Sequence, residues 1–332
     1  MKDIAGPRDI GLLGIPLEAG GAVAGTLMGP AALRTAGLAA RLAGLGHRVH
    51  DHGDVTPETV ADHDLPAEIA ARCRSAGTVA GFVRAAHERA LSILEAGQMP
   101  VFMGGDHSIS MGTVSAVARH CAATGRDLVL LWLDAHADFN TPATSPSGNI
   151  HGMPVAMLCG DESLRPLLGK HRFPPLAPEN VHLFGLRSID QEERRAIALN
   201  GLDGIDMRLV DEFGVSVLLR RILADLDPAR THLHVSLDVD FLDPEVAPGA
   251  GTPVPGGATY REAHLVMEML HDSGLVGSLD IVELNPFLDE RGRSAVVLAE
   301  LTASLFGRSV LDRPAGQRGI ARAAATFAET TS

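Results

Sequence analysis

Asp134, His136 and Asp138 stand on alternate positions directly after the apolar run 128–133. Alternate side chains of an extended backbone point the same way, so these three ionisable groups converge beyond the end of a buried strand. Buried charges without a partner are costly, and a cation is their natural complement. A loop of solvated carboxylates is the other reading of so short a pattern. The same logic returns at Asp238 and Asp240, after the run 231–237, and a further imidazole, His107, follows the run 99–103. Two imidazoles and four carboxylates are too many for one tetrahedral zinc. They suit two five- or six-coordinate divalent ions bridged by carboxylates, and the oxygen-rich set favours Mn(II). Paired ions lower the pKa of a shared water and so supply a nucleophile near neutral pH.

Such a site needs a scaffold that brings distant segments to one edge. Short apolar runs at 9–14, 99–103, 128–133, 181–186, 231–237 and 276–282 predict strands, and the short segment 47–50 reads as a further one. Helical patterns separate them: from about 31, then 66–97, 110–120, 192–199, 215–226, 260–271 and 293–306. Strands alternating with helices predict a parallel sheet. Five strands would deliver His107, Asp134, Arg187, Asp238 and Glu283 at their C-terminal ends, the edge where parallel α/β folds bind ligands. A closed eight-stranded barrel satisfies the same rule.

The glycines of 20–29 are not followed by Gly-Lys-Ser/Thr and so form no phosphate loop. The polar segment 51–66 reads as a surface connection with His52 and His63 in solvent. His232 and His234 read as ordinary strand residues, Asp106 and Asp280 as structural partners of the site, and Cys159 as a small buried hydrophobe.

The chain has 332 residues, 45% of them hydrophobic and 21% charged, which is ordinary for a globular enzyme. A net charge of −13 argues against nucleic acid or an anionic membrane as partner. Three scattered cysteines build neither a disulfide framework nor a thiolate site, which fits a reducing cytoplasm. The first ten residues lack a signal-like apolar core, and no apolar run is long enough to span a bilayer.

Four motifs occur in order: Gly104-Gly-Asp-His-Ser108, Asp134-Ala-His-Ala-Asp-Phe-Asn140, Ser147-Gly-Asn-Ile-His-Gly152 and Ser236-Leu-Asp-Val-Asp-Phe-Leu-Asp-Pro244. Together they resemble the signatures of the ureohydrolases. The third motif, with Gly251-Thr-Pro253 through Tyr260-Arg-Glu262, resembles the bacterial arginases, and Ser278-Leu-Asp-Ile-Val-Glu-Leu-Asn-Pro286 is similar to their late segment. The resemblance runs from about 10 to 311. It implies a single catalytic domain over 1–311, with a tail at 312–332 that it does not cover. It also implies a three-layer, doubly wound sheet of about eight parallel strands, assembled as a homotrimer or homohexamer.

The implied reaction is hydrolysis of L-arginine to L-ornithine and urea by a hydroxide bridging two Mn(II) ions. His107, Asp134, Asp138 and Asp238 match the ligands of one ion; Asp134, His136, Asp238 and Asp240 match those of the other. Asp138, His151 and Glu283 carry the catalytic roles, His151 as proton shuttle and Glu283 as the carboxylate that holds the guanidinium. Asn140, Ser147, Asn149, Asp190, Glu193 and Thr252 match substrate-recognising positions, and Arg261 and Glu262 a region of subunit contacts. Without this context, His151 before Gly-Met-Pro reads as a helix start.

Three departures stand out: the segment 20–28 lacks the arginine many arginases carry there, Phe241 replaces a common Gly, and Ser188 replaces an Asp found in some relatives. The alternatives are another ureohydrolase, such as an agmatinase or guanidinobutyrase, and a catalytically silent relative. An agmatine site has no substrate carboxylate to hold, whereas Ser147-Gly-Asn149 supplies donors for one.

Overall fold

The computed structural model describes residues 6–311; the predicted tail 312–332 and the first five residues lie outside the described residues. Eight strands form one parallel sheet: β1 (Asp9–Ile15), β2 (Arg48–Asp54), β3 (Met99–Gly104), β4 (Asp127–Leu133), β5 (Val181–Leu186), β6 (Asp203–Asp206), β7 (Thr231–Asp238) and β8 (Val276–Val282). The helices are α1 (Gly29–Thr35), α2 (Leu38–Gly44), α3 (Ala67–Arg72), α4 (Ala76–Glu95), α5 (Ser110–Thr124), α6 (Pro154–Leu158), α7 (Gln191–Asn200), α8 (Met207–Phe213), α9 (Val215–Ala224), α10 (Tyr260–Ser273) and α11 (Arg293–Leu305).

The strand order is β2-β1-β3-β8-β7-β4-β5-β6. The sheet is open, with β2 and β6 at its edges, so the barrel topology does not apply. Continuous apolar strands are what burial on both faces demands. In β4, Leu128, Leu130 and Trp132 join the core beneath α4, α5 and α6. Val129, Leu131 and Leu133 join the opposite core beneath α1, α2, α9, α10 and α11. Two cores on either side of one sheet give the three layers that the resemblance implied.

Several expected boundaries are corrected. β2 continues to Asp54, and His52 is only partly exposed, its Nε2 lying 2.7 Å from Gln98 Oε1. The helical run 66–97 breaks at 73–75, where Ser75 takes a left-handed φ of 49° and Arg74 N donates to Gly148 O at 2.9 Å. A tertiary contact thus overrides a locally helical pattern. The eighth strand, β6, gives no apolar signal: of its residues Asp203-Gly-Ile-Asp206 only Ile205 is buried. Asp206 then caps α8, accepting from Leu209 N at 2.9 Å. Among the described residues no helix is long and apolar enough to cross a membrane.

Candidate active site

The four central strands, β3-β8-β7-β4, carry His107, Glu283, the Asp238/Asp240 pair and the Asp134–Asp138 stretch at or just beyond their C-terminal ends. Neighbouring strands of one sheet lie ~5 Å apart, which suffices to bring these groups into contact. His107 Nδ1 lies 3.0 Å from Asp134 Oδ2, 3.2 Å from Asp138 Oδ2 and 3.1 Å from Asp238 Oδ2. It is fully enclosed and none of these contacts is aligned as a hydrogen bond; Asp134 Oδ2 is likewise without one. Next to it, His136 Nδ1 lies 3.4 Å from Asp134 Oδ1 and 3.1 Å from Asp240 Oδ2. Two donor groups sharing Asp134 therefore converge, His107/Asp134/Asp238 and Asp134/His136/Asp240. Buried, unaligned donors of this chemistry fit divalent cations.

The surroundings hold these donors in place. The ring of His107 stacks on Trp132, with centroids 3.9 Å apart and planes 5° from parallel. The backbone N–H of His136 donates to Asp134 at 2.6 Å, and that of Asp240 to Asp238 at 2.7 Å. Thr252 Oγ1 donates to Asp240 Oδ2 at 3.2 Å. Asp138 and Glu283 take left-handed φ values of 51° and 62°. Such backbones are uncommon for non-glycine residues, and here both bear site carboxylates.

Glu283 Oε1 accepts from His107 N at 2.8 Å and lies 2.9 Å from His151 Nδ1. The structure therefore places His151 beside the site carboxylate. Burial works against its charged form, but Glu283 and Asp106 outweigh it and bring the ring to about 9. Burial, then the charge of Asp134, push Asp138 up to about 6. Burial likewise pushes Glu193 up to about 7, although it accepts from Phe139 N at 2.8 Å. Glu283 is held below the usual carboxylate range: burial opposes this, but the charge and hydrogen bond of His151 prevail.

A cleft of about 280 Å³ opens above this floor, and Asn140, Ser147, Asn149, Asp190, Glu193 and Thr252 all line it. Asn140 Nδ2 reaches Asp190 Oδ2 at 3.4 Å. The break between α3 and α4 has a purpose here, because it docks Gly148, with its φ of 70°, and thereby fixes Ser147 and Asn149.

Not every polar strand end joins the site. Arg187 turns away and donates to the carbonyls of Asp240, Leu242 and Val254, clasping the loop after β7. His232 and His234 pair with Ser278 inside the sheet. Asp106 caps the turn at His107 and also accepts from Gly20 N at 2.8 Å, while Asp280 accepts from Ser110 and Thr113. Cys159 is half-buried rather than buried.

Sequence reasoning left the glycine-rich loop without a role. His151 N donates to Gly20 O at 3.2 Å, and a Cβ on Gly20 would fall 2.0 Å from Ser108 Oγ. A Cβ on Gly25 would lie 2.1 Å from Asn285 Oδ1. The density of glycine was the available signal: this loop presses its backbone onto the site. Ser236 and Trp132 were also missed as supports of His107, since neither carries a charge.

A carboxylate and imidazole cluster that could hold metal ions thus lies at the C-terminal edge of an open parallel sheet, the edge where such folds bind ligands. The arginase family model matches residues 8–307, and the chain belongs to that family, an enzyme of hydrolytic type. It is 50% identical over 305 residues to the arginase of Agrobacterium fabrum, covering 91% of this chain and 92% of that protein. It is 40% identical over 306 residues to the arginase of Bacillus caldovelox, covering 92% and 100%. The native structure of the B. caldovelox arginase superposes with a TM-score of 0.83 at 38% identity, over 92% of this chain and 100% of that one. A formimidoylglutamase from Bacillus subtilis, at 21% identity and a TM-score of 0.71, shares the fold.

Proposed function

We propose that the chain hydrolyses L-arginine to L-ornithine and urea, with two Mn(II) ions per chain. His107, Asp134, Asp138 and Asp238 would hold one ion and Asp134, His136, Asp238 and Asp240 the other. Bound there, the ions would lower the pKa of a water molecule toward neutrality. The observation that carries the reading is the cleft itself, which joins His136, Asp138, Asp238 and Glu283 to the polar rim of Ser147, Asn149, Asp190 and Glu193.

The guanidinium carbon is a poor electrophile, because its charge is delocalised and its protons are retained at any ordinary pH. Orientation and proton traffic are therefore what the chain contributes. Glu283, kept ionised beside His151, fixes the planar cation by charge-assisted hydrogen bonds. Water adds to the guanidinium carbon, and Asp138 accepts its proton. The bond from that carbon to the side-chain nitrogen then breaks, with the proton passing to the departing amine. His151, charged near neutral pH, delivers the further proton that leaves ornithine as an ammonium ion, and the hydroxyl proton shed as urea forms its carbonyl restores the charge on His151. Ser147 and Asn149 meet the substrate carboxylate, while Asn140, Asp190, Glu193 and Thr252 order the amino end.

Agmatine lacks that carboxylate. A site that pairs its polar groups with a substrate rejects an analogue lacking the partner by roughly 10⁴-fold in kcat/KM. Urea release from L-arginine and agmatine by Mn(II)-loaded enzyme tests the reading. Preference for arginine on that scale supports it; comparable values would favour an agmatinase-type ureohydrolase. We further propose a homotrimer or homohexamer, as the resemblance implies, that works in the cytoplasm, as the scattered cysteines suggest, on a small molecule without nucleic acid or membrane, as the net charge of −13 suggests.

A further inference from the structure

A second group of potential ligands lies outside the cleft. Glu58, Glu88 and His171, from three distant stretches of chain, bring ligand atoms within 4.8 Å of one another. The group is built rather than incidental. Glu58 follows β2, and its N–H donates to Gly81 O in α4 at 3.1 Å; a Cβ on Gly81 would lie 2.2 Å from Glu58 O. Glu88 stands two turns further along α4. His171 is only 6% exposed, anchored by its N–H to Leu168 O at 3.2 Å, and its ring stacks on His87 with centroids 4.5 Å apart.

His171 Nε2 is buried without a hydrogen-bond partner, and His171 lines, with Glu88, Lys170 and Arg119, an open pocket of about 460 Å³. Glu88 Oε1 lies 3.7 Å from it, too far for a hydrogen bond. Burial lowers the basicity of this ring and so favours its neutral form, the form in which an imidazole binds metal. Lys170 Nζ, on a largely exposed side chain, holds Glu88 Oε1 at 3.2 Å.

We propose that Glu58, Glu88 and His171 form a binding site for a first-row divalent cation of zinc type, separate from the catalytic centre. An imidazole with two carboxylates suits zinc rather than calcium or magnesium, which prefer oxygen alone. The paired carboxylates disfavour an anion. Ligand bonds of ~2 Å bridge donors up to ~4 Å apart, so a small rotation of the two exposed glutamates closes the set. Bound, the ion replaces Lys170 on Glu88 and ties the segment after β2, α4 and the segment before β5 together. The proposal does not depend on the arginine reading.

The test is equilibrium dialysis of Mn(II)-loaded enzyme against zinc, with both metals counted. Wild type is expected to gain one zinc per chain without losing manganese, and its melting temperature to rise. Glu58→Gln and His171→Ala should lose that equivalent and the thermal shift while urea release stays unchanged, and Lys170→Gln should bind zinc more tightly. Glu58 is exposed, so its variant decides the matter should His171→Ala not fold. Equal zinc in wild type and Glu58→Gln, or zinc gained only as manganese is lost, would overturn the site.

Discussion

Ser236 Oγ lies 2.8 Å from Nε2 of His107, so a neutral strand residue engages the far nitrogen of the ring and turns Nδ1 toward three carboxylates. Ser236→Ala should leave the fold intact but lower metal affinity by about 10- to 100-fold, the usual effect of removing such a support. A metal titration followed by urea release reads this. Unchanged affinity would mean that the stack on Trp132 alone orients the ring.

Asp134 belongs to both donor groups. Chelation should abolish turnover, Mn(II) should restore it, and the restored enzyme should carry about two ions per chain, as paired-metal chemistry requires. Asp134→Ala should lower both bound metal and activity. Full activity with a single tightly held ion would contradict the two-ion reading.

His151 is the middle residue of a short 3-10 helix just ahead of α6, and its ring lies against Glu283. His151→Asn should retain metal and melting temperature yet turn over about 10²-fold more slowly, the scale of lost general acid–base help. Added imidazole should recover part of the rate. A variant with wild-type turnover removes the shuttle; one that is unstable and beyond rescue makes His151 structural.

Stability should respond to acid through His232. Burial lowers this ring to about 3, whereas an exposed histidine titrates near 6.5. Below pH ~6.5 the unfolded chain takes up a proton that the folded chain refuses, so stability falls with pH until about 3. Between pH 6 and 4 the wild type should lose about 1.4 kcal/mol per pH unit more than His232→Gln, for the one proton concerned. Denaturant titrations across that range measure the difference; parallel curves would show that His232 charges within the fold.

The site was more legible in the sequence than its supports. Asp134, His136 and Asp138 announce themselves because ionisable groups at period two after an apolar strand have few explanations. Six strands, β1, β3, β4, β5, β7 and β8, were readable because burial on both faces leaves continuous hydrophobic runs, whereas the exposed edge strand β2 was read only in part. β6 was invisible because an edge strand of four residues with a single buried side chain has no pattern to offer. The break at Ser75 was invisible because its cause, the carbonyl of Gly148, lies about seventy residues away. Arg187 misled for the opposite reason: its position after β5 is that of a site residue, but the carbonyls it clasps belong to a loop that folds over from β7.

The strand order carries a consequence for biogenesis. β7 and β8 are synthesised last of the eight, yet they occupy the middle of the sheet, between β3 and β4. Until they arrive, the nascent chain holds two incomplete three-stranded halves whose inner edges are unpaired, the kind of edge that invites association with other chains. Asp238, Asp240 and Glu283 come in with those last strands. A ribosome-bound or truncated chain ending before β7 would thus have His107, Asp134, His136 and Asp138 but no closed cage around them. On the proposed metal reading, the insertion that pairs the open edges would also complete the donor set.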